Sequence, residues 1–276
     1  MRATTDAWSA PELVGVAEAA RRRVGTLGVV SIVALAVVLG LVLVLVAGVL
    51  IGIVVAVLLG AVGALGWMAW VRASFAAARE RVVSGLGRPA GDDEMPRMRN
   101  ALEGVAILTG VAVPDLRVLE RDCANALVAC GQESSTVVVT SGLMQGCGAV
   151  EAEALAAWLL GTVRDGSAQC ATLGAALPPV LARLAALGAG SLARLLGAQR
   201  AVVADAAAVS ITRYPPGLVA ALQRMGRIGT TVPGIDAATA ALWLAPAVGV
   251  SEGVDEQLGA TVNQPLDYRV AVLSEL

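Results

Sequence analysis

Histidine is absent from this 276-residue sequence. Its absence removes the commonest metal ligand among the imidazoles and the commonest general base near neutral pH. Every Ser-His or Cys-His arrangement for nucleophilic catalysis goes with it. Lysine is absent too, so all 20 basic residues are Arg; set against 22 acidic residues they leave a net charge of −2. That balance gives no electrostatic case for nucleic acid as a partner. Cysteine is scarce: four residues, at 123, 130, 147 and 170, with no C-x-x-C pair and no metal-ligand spacing. They read as reduced, buried, small apolar side chains. Charge of either sign is missing from Val24 to Val71.

What is present is apolar. The chain is 57% hydrophobic with a mean hydropathy of +0.75, above the level of soluble domains, and this points to a lipid membrane as partner. One helix over Val24–Val71 would be about 70 Å long, more than twice the hydrocarbon thickness. Two spans of about twenty residues joined by a tight turn fit better, and the glycines at Gly48 and Gly52 mark the turn. Arg21–Arg23 flank one end of the run, and Arg72, Arg79 and Arg81 the other. Positive flanks stay on the cytoplasmic side, which predicts a multi-pass hairpin in the cell's inner membrane with both termini and the soluble domain in the cytoplasm. Trp67 and Trp70 sit at the exit, where an interfacial aromatic belt belongs. The run is too long, and too closely preceded by acidic residues, for a signal peptide. Gly48-Val49-Leu50-Ile51-Gly52 also fits G-x-x-x-G, but turn formation explains it better than a dimer seam.

The rest divides by composition. Residues 1–23 form an N-terminal arm, with a helix start at Ser9-Ala10-Pro11-Glu12. Residues 24–71 are the hairpin, 72–93 a juxtamembrane helix and Gly/Pro/Asp linker, and 94–276 a folded domain. Within that domain, Glu94–Gly110 reads as a helix with Leu102, Val105, Ala106 and Leu108 facing inward. Strands are predicted at Leu116–Leu119, Asn125–Ala129 and Thr136–Thr140. Ala149–Gln169 is a proline-free helix dense in Ala and Leu. Glu151 and Glu153 near its start lie two residues apart, on different sides of the helix, and read as capping charges rather than a catalytic pair. Pro178-Pro179 and the exposed-type residues Arg183 and Arg194 interrupt Ala168–Ala198. That stretch reads either as an element lying on the membrane surface or as a buried helical hairpin. Helices follow at Gln199–Thr212, from Pro215 to about Met225, from Asp236 through Leu244, and over Gln264–Leu276; Glu252–Gly259 reads as a polar, exposed stretch.

The order of these segments resembles the HtpX and CAAX-prenyl-protease type of membrane zinc metallopeptidase. Asn125-Ala126-Leu127-Val128-Ala129 is similar to that family's N-A-F-A strand. Val137–Met144 is similar to its V-A-V-T-x-G-L-L strand and turn. The lead-in to the Ala149 helix, Val203-Ala204-Asp205, and Asn263-Gln264-Pro265 with Arg269-Val270-Ala271 match its active-site helix, its E-A-D segment and its closing H-P-P…R-I-x segment. The resemblance implies an α+β, mainly helical, zincin-like peptidase domain with a small sheet, behind a transmembrane hairpin. In the family, H-E-x-x-H places two His on one helix face for zinc, with the Glu as general base. Here those positions carry Trp158, Leu159 and Thr162, and Val203 replaces the third ligand. Asp205 keeps the Asp that supports the ligands in active relatives.

Read this way, the chain has no catalytic residue and no metal ligand at the expected places, although zinc is expected in the family. A degenerate, non-hydrolytic relative could still bind a peptide or a membrane protein partner in a vestigial cleft. Asn125, Ala126, Leu127, Val128, Trp158, Thr162, Asp205 and Asn263 would line it, and the Asn125–Ala129 edge would add a peptide strand. That strand could equally just complete the core. A working zinc endopeptidase, and a structural subunit acting through its hairpin, are the alternatives.

Overall fold

A computed structural model describes residues 13–197, 199–247 and 263–276. The predicted helix start at Ser9–Glu12 and the polar stretch 252–259 lie outside the described residues. Two long helices open the structure: α1 (Val16–Ala47) and α2 (Val49–Ala76). Gly48 separates them at φ 95°, a left-side conformation only glycine adopts without strain. The hairpin turn therefore falls where the sequence placed it. Close helix contact depends on small residues: a side chain at Gly52 would press on Val44 and come within 2.8 Å of the Gly40 carbonyl. Gly52 thus serves packing within the hairpin. Both helices are long and apolar enough to cross a membrane, and their leucines and valines face outward along most of their length.

Beyond α2 come α3 (Ala78–Val83), β1 (Arg88–Pro89), α4 (Pro96–Thr109), β2 (Asp115–Leu119), β3 (Ala126–Cys130) and β4 (Ser135–Thr140). A short α5 (Ser141–Met144) leads to α6 (Ala149–Arg164). The predicted strands are present. The linker holds one more: β1, too short to show a period, pairs antiparallel with β2. Arg117 pins it by donating to the Leu86 and Gly87 carbonyls at 3.2 and 2.7 Å. In α4, Met98, Leu102, Val105 and Ala106 are buried, whereas Leu108, beyond the edge of that stripe, is 64% exposed. The inward reading of Leu108 is corrected accordingly.

The sheet runs β1-β2-β4-β3, with β2 and β4 parallel and β3 antiparallel to β4. Both faces are covered, which is why β3 and β4 are buried at every residue. Ala126, Val128, Val137 and Val139 pack in the core built on α6, while Leu127, Ala129 and Val138 pack in a second core. Successive side chains alternate between the two cores, as the pleat requires.

The second core takes in α7 (Ser167–Ala176), α8 (Pro179–Leu184), α9 (Ala189–Leu196) and the start of α1. Leu181, Leu187, Leu192 and Leu196 are buried in it, while Arg183 and Arg194 are exposed. The described part of 168–198 forms three short helices with those leucines buried, and Pro179 opens α8 where its missing N–H costs nothing. The chain closes with α10 (Arg200–Thr212), α11 (Pro215–Ile228), a 3₁₀ turn (Ala237–Leu242) and α12 (Leu266–Leu273). The helix predicted from Asp236 through Leu244 is thus a 3₁₀ turn. Asp236 does cap it, accepting from Ala238 N at 2.9 Å, but Trp243 and Leu244 leave it to bond β3.

Candidate functional site

The helix α6 is packed by α4, α10, α11, α7 and β3, and every residue from Ala154 to Thr162 is buried. A helix apolar on all sides belongs at the centre of a fold. Trp158, Leu159 and Thr162 sit on it, and Val203 and Asp205 on α10 alongside. The Trp158 indole is fully buried. Its Nε1 has no hydrogen-bond partner among the described residues. The Leu159 side chain belongs to the core. The Thr162 hydroxyl donates to the Leu159 carbonyl at 2.7 Å, a bond within its own helix.

Two guanidinium groups meet at the indole. The central carbon of Arg200 lies over the ring, 5.9 Å from its centroid, and that of Arg269 lies 5.8 Å from it. Both are within cation–π range. Arg269, with a side chain 0% exposed, is held by Asp205. Its Nε donates to Oδ2 at 2.8 Å and its Nη2 to Oδ1 at 2.5 Å, and its Nη1 donates to the Leu244 carbonyl at 2.6 Å. Planar, bidentate pairing is the strongest form such an ion pair takes. Arg200 is less well served: its Nε and Nη1 lack hydrogen-bond partners among the described residues. Burial pulls it down to about 10, with Asp165 opposing the shift and Arg269 deepening it. Burial also raises Asp165, against hydrogen bonds from Ser167.

These residues do not fit a zinc ion. Zinc takes thiolate, imidazole or carboxylate donors; an indole, an aliphatic side chain on α6, a hydroxyl committed to its own helix and a valine supply none. Asp205, the carboxylate nearest these positions on α10, has both oxygens on Arg269. Among the described residues no group of three or more Cys, Asp or Glu is placed to hold a metal. The cysteine thiols are raised by burial, to about 12 at Cys130 and about 11 at Cys147 and Cys170, which disfavours the thiolate a metal needs.

The remaining predicted residues meet around a segment that the sequence did not single out, Trp243–Ala245. Leu127 forms an antiparallel bridge with Trp243, and Leu244 N donates to the Ala126 carbonyl at 2.8 Å. Asn125 Nδ2 donates to the carbonyls of Thr230 and Ala245 at 2.9 and 3.1 Å, and its Oδ1 accepts from Ala245 N at 3.2 Å. Asn263 Nδ2 donates to the Ala240 carbonyl at 3.0 Å. The outer edge of β3 is therefore occupied by the chain itself, and Asn125, Ala126, Leu127 and Val128 are all buried. A continuous path of bonds runs from Ala126 through Leu244 and Arg269 to Asp205. Sequence reasoning missed Arg200, and it missed Trp243–Ala245 because Trp-Leu after an Ala-rich run reads as the end of a helix. Arg269 lies within the closing motif, which by itself assigns it no role.

Glu151 does more than cap. It accepts from Gly148 N at 3.2 Å and from Arg224 Nε at 2.8 Å, tying α6 to α11. Glu153 is exposed.

Two helices long and apolar enough to cross a membrane, followed by a mainly helical domain with a small mixed sheet, define the class: an α+β protein with candidate membrane spans. Comparison with known proteins agrees. The chain is 27% identical over 195 residues to a "Protease HtpX homolog" of Dictyoglomus thermophilum, and 26% identical to that of Dictyoglomus turgidum. Each match covers 58% of this chain and 64% of the relative. A third, from Streptococcus agalactiae, is 23% identical over 196 residues, 57% of this chain and 66% of the relative. The match thus spans less than two thirds of these relatives' length. No family model matches the chain, and no solved structure matches it significantly. The likeness to HtpX-type proteases read from the motifs is shown by these relatives.

Proposed function

We propose that this chain is a membrane-anchored, non-hydrolytic relative of the HtpX-type proteases that works by binding a partner at the membrane. One observation carries the reading: Trp158, the residue that the resemblance aligns with the motif's first His, is a buried indole under two guanidiniums. Fixed positive charge beside a missing donor set opposes a divalent cation twice over. Leu159 has no proton to give or take, so a water there would have no base. Hydrolysis of the zinc-dependent kind would need a donor set from elsewhere.

The occupied edge of β3 bears on how binding works. A peptide could add to β3 only by displacing Trp243–Ala245, whose indole is fully buried. The outward apolar faces of α1 and α2 need no such displacement, and this favours a membrane partner over a captured peptide. The hairpin's arginines favour cytoplasmic placement of the domain.

Metal analysis of the purified full chain, after exposure to zinc and dialysis, tests the first part. The expected result is no stoichiometric zinc and no cleavage of casein. Trp158→His with Thr162→His should restore neither, since Leu159 and Val203 remain. One tightly held zinc per chain in the unaltered protein would end the reading. Photo-cross-linkers at Val128 and at Leu58 separate the two binding modes: peptide adducts at Val128 would reverse the preference for the hairpin.

A further inference from the structure

We infer that the cytoplasmic end of the hairpin holds one anionic phospholipid, its phosphate between Arg21 and Arg72 and an acyl chain in a groove between α1 and α2. The groove has a volume of about 630 Å³ and an apolar floor that includes Val29, Val30, Leu65 and Met68. Arg21, Arg22 and Arg72 stand at its mouth. The sequence creates it with small residues. Gly25 on α1 faces Met68, whose sulfur would be 3.2 Å from a Cβ at that position. Gly28, one turn on, accepts the Trp67 ring, and Trp67 Nε1 donates to the Val24 carbonyl at 3.1 Å. That bond fixes the helix spacing beside the groove.

The charge at the mouth selects the occupant. Arg22 is paired with Glu18 one turn away. Arg21 and Arg72, from different helices, make no salt bridge or hydrogen bond among the described residues, and Glu18, already bonded to Arg22, feels Arg21 only through space. Two unpaired guanidiniums at the end of an apolar slot match a phosphate that carries a hydrocarbon chain, because Arg offers paired N–H donors to phosphate oxygens. From Arg21 to Val30 the groove follows α1 for about 14 Å at a helical rise, which suits an acyl chain running into the bilayer. Basic pockets between spans on the cytoplasmic side have this physical logic in general. A zwitterionic lipid brings a cationic headgroup beside its phosphate, which offsets the gain from the two arginines, so a net anionic lipid is favoured.

The inference rests on the hairpin lying in a membrane, so the test reads that separately. The full chain is reconstituted into nanodiscs of equal phosphatidylglycerol and phosphatidylcholine, then taken into mild detergent for native mass spectrometry. The expected result is one phosphatidylglycerol retained per chain with a preference of about thirty-fold, the factor two arginines supply near a surface. Arg21→Gln with Arg72→Gln should bring the preference to parity. Gly25→Leu, which fills the groove, should lower retention of both lipids. Arg183→Gln with Arg194→Gln, exposed elsewhere, should change nothing. Parity in the unaltered chain, an unchanged preference in the Arg21/Arg72 variant, or an equal loss in the Arg183/Arg194 variant would overturn the site alone. Failure to enter nanodiscs of any composition would overturn the membrane reading with it.

Discussion

Replacing Asp205 by Ala strands a cation in the core, and the structure sets the size of the effect. The Arg269 side chain is 0% exposed and Asp205 takes two of its three hydrogen-bonding directions. Removing one partner of a buried ion pair costs about 3–5 kcal/mol, because the surviving charge has no water to turn to. In a domain of this size that is a fall in melting temperature of about 6–20 °C. Removing both partners is a different perturbation. Asp205→Leu with Arg269→Met exchanges the pair for apolar volume, which is often neutral or stabilising. Here one deficit persists: the Leu244 carbonyl loses the Arg269 donor, at a cost of about 1–3 kcal/mol. The double variant should therefore sit between the unaltered chain and Asp205→Ala. Thermal and urea unfolding of the full chain in detergent, followed by tryptophan fluorescence, reads both, since Trp158 lies beneath Arg269. A loss below about 1 kcal/mol for Asp205→Ala would refute the reasoning. So would a double variant less stable than the single one.

Arg200→Met should stabilise the fold by about 1–3 kcal/mol at pH 7 in the same assay, since it removes a buried charge with unpartnered donors. The sign follows from linkage. The folded-state value, about 10, lies below that of an ordinary guanidinium, so above about 10 the unfolded chain binds more protons. The unfavourable charge burial is fully present below about 10 and lifts as pH rises from there towards the ordinary guanidinium range. A destabilised Arg200→Met would mean that the cation–π contact outweighs that burial. Iodoacetamide at pH 8 should label Cys123, the half-exposed thiol, ahead of Cys130, Cys147 and Cys170, which burial keeps protonated. Peptide mass mapping of the native chain checks the order. Gly52→Val should loosen the hairpin, since the Gly40 carbonyl lies 2.8 Å from the added Cβ. Disulfide trapping between cysteines placed on α1 and α2 near Gly40 and Ala56 should slow at least about tenfold, equivalent to about 1.4 kcal/mol.

The hairpin and its turn were legible because their signal is local. A long uncharged run needs two spans, and a glycine at its middle supplies the one backbone conformation that reverses it. The strands were legible through β-branched runs bounded by polar turns. The helices that carry Trp158, Leu159, Thr162 and Val203 were legible too, as proline-free apolar runs. Elements whose identity depends on distant partners were not legible. Arg88–Pro89 is a strand only because Arg117 and β2 hold it, and Leu108 faces outward only because of how α4 lies on α6.

By itself, then, the sequence determined which donors this protein lacks and which stretch is greasy enough for lipid, since composition and periodicity are properties of the chain alone. Only the tertiary structure decided what fills the central position. Arg200 and Arg269 are far apart in sequence, and no pattern brings both guanidiniums over one indole. Packing of α10 against α6, and of α12 against α10 and α11, does so, and the low polarity of that interior makes their charge matter. The same packing laid Trp243–Ala245 along β3, because an unpaired strand edge inside a protein must find hydrogen bonds somewhere.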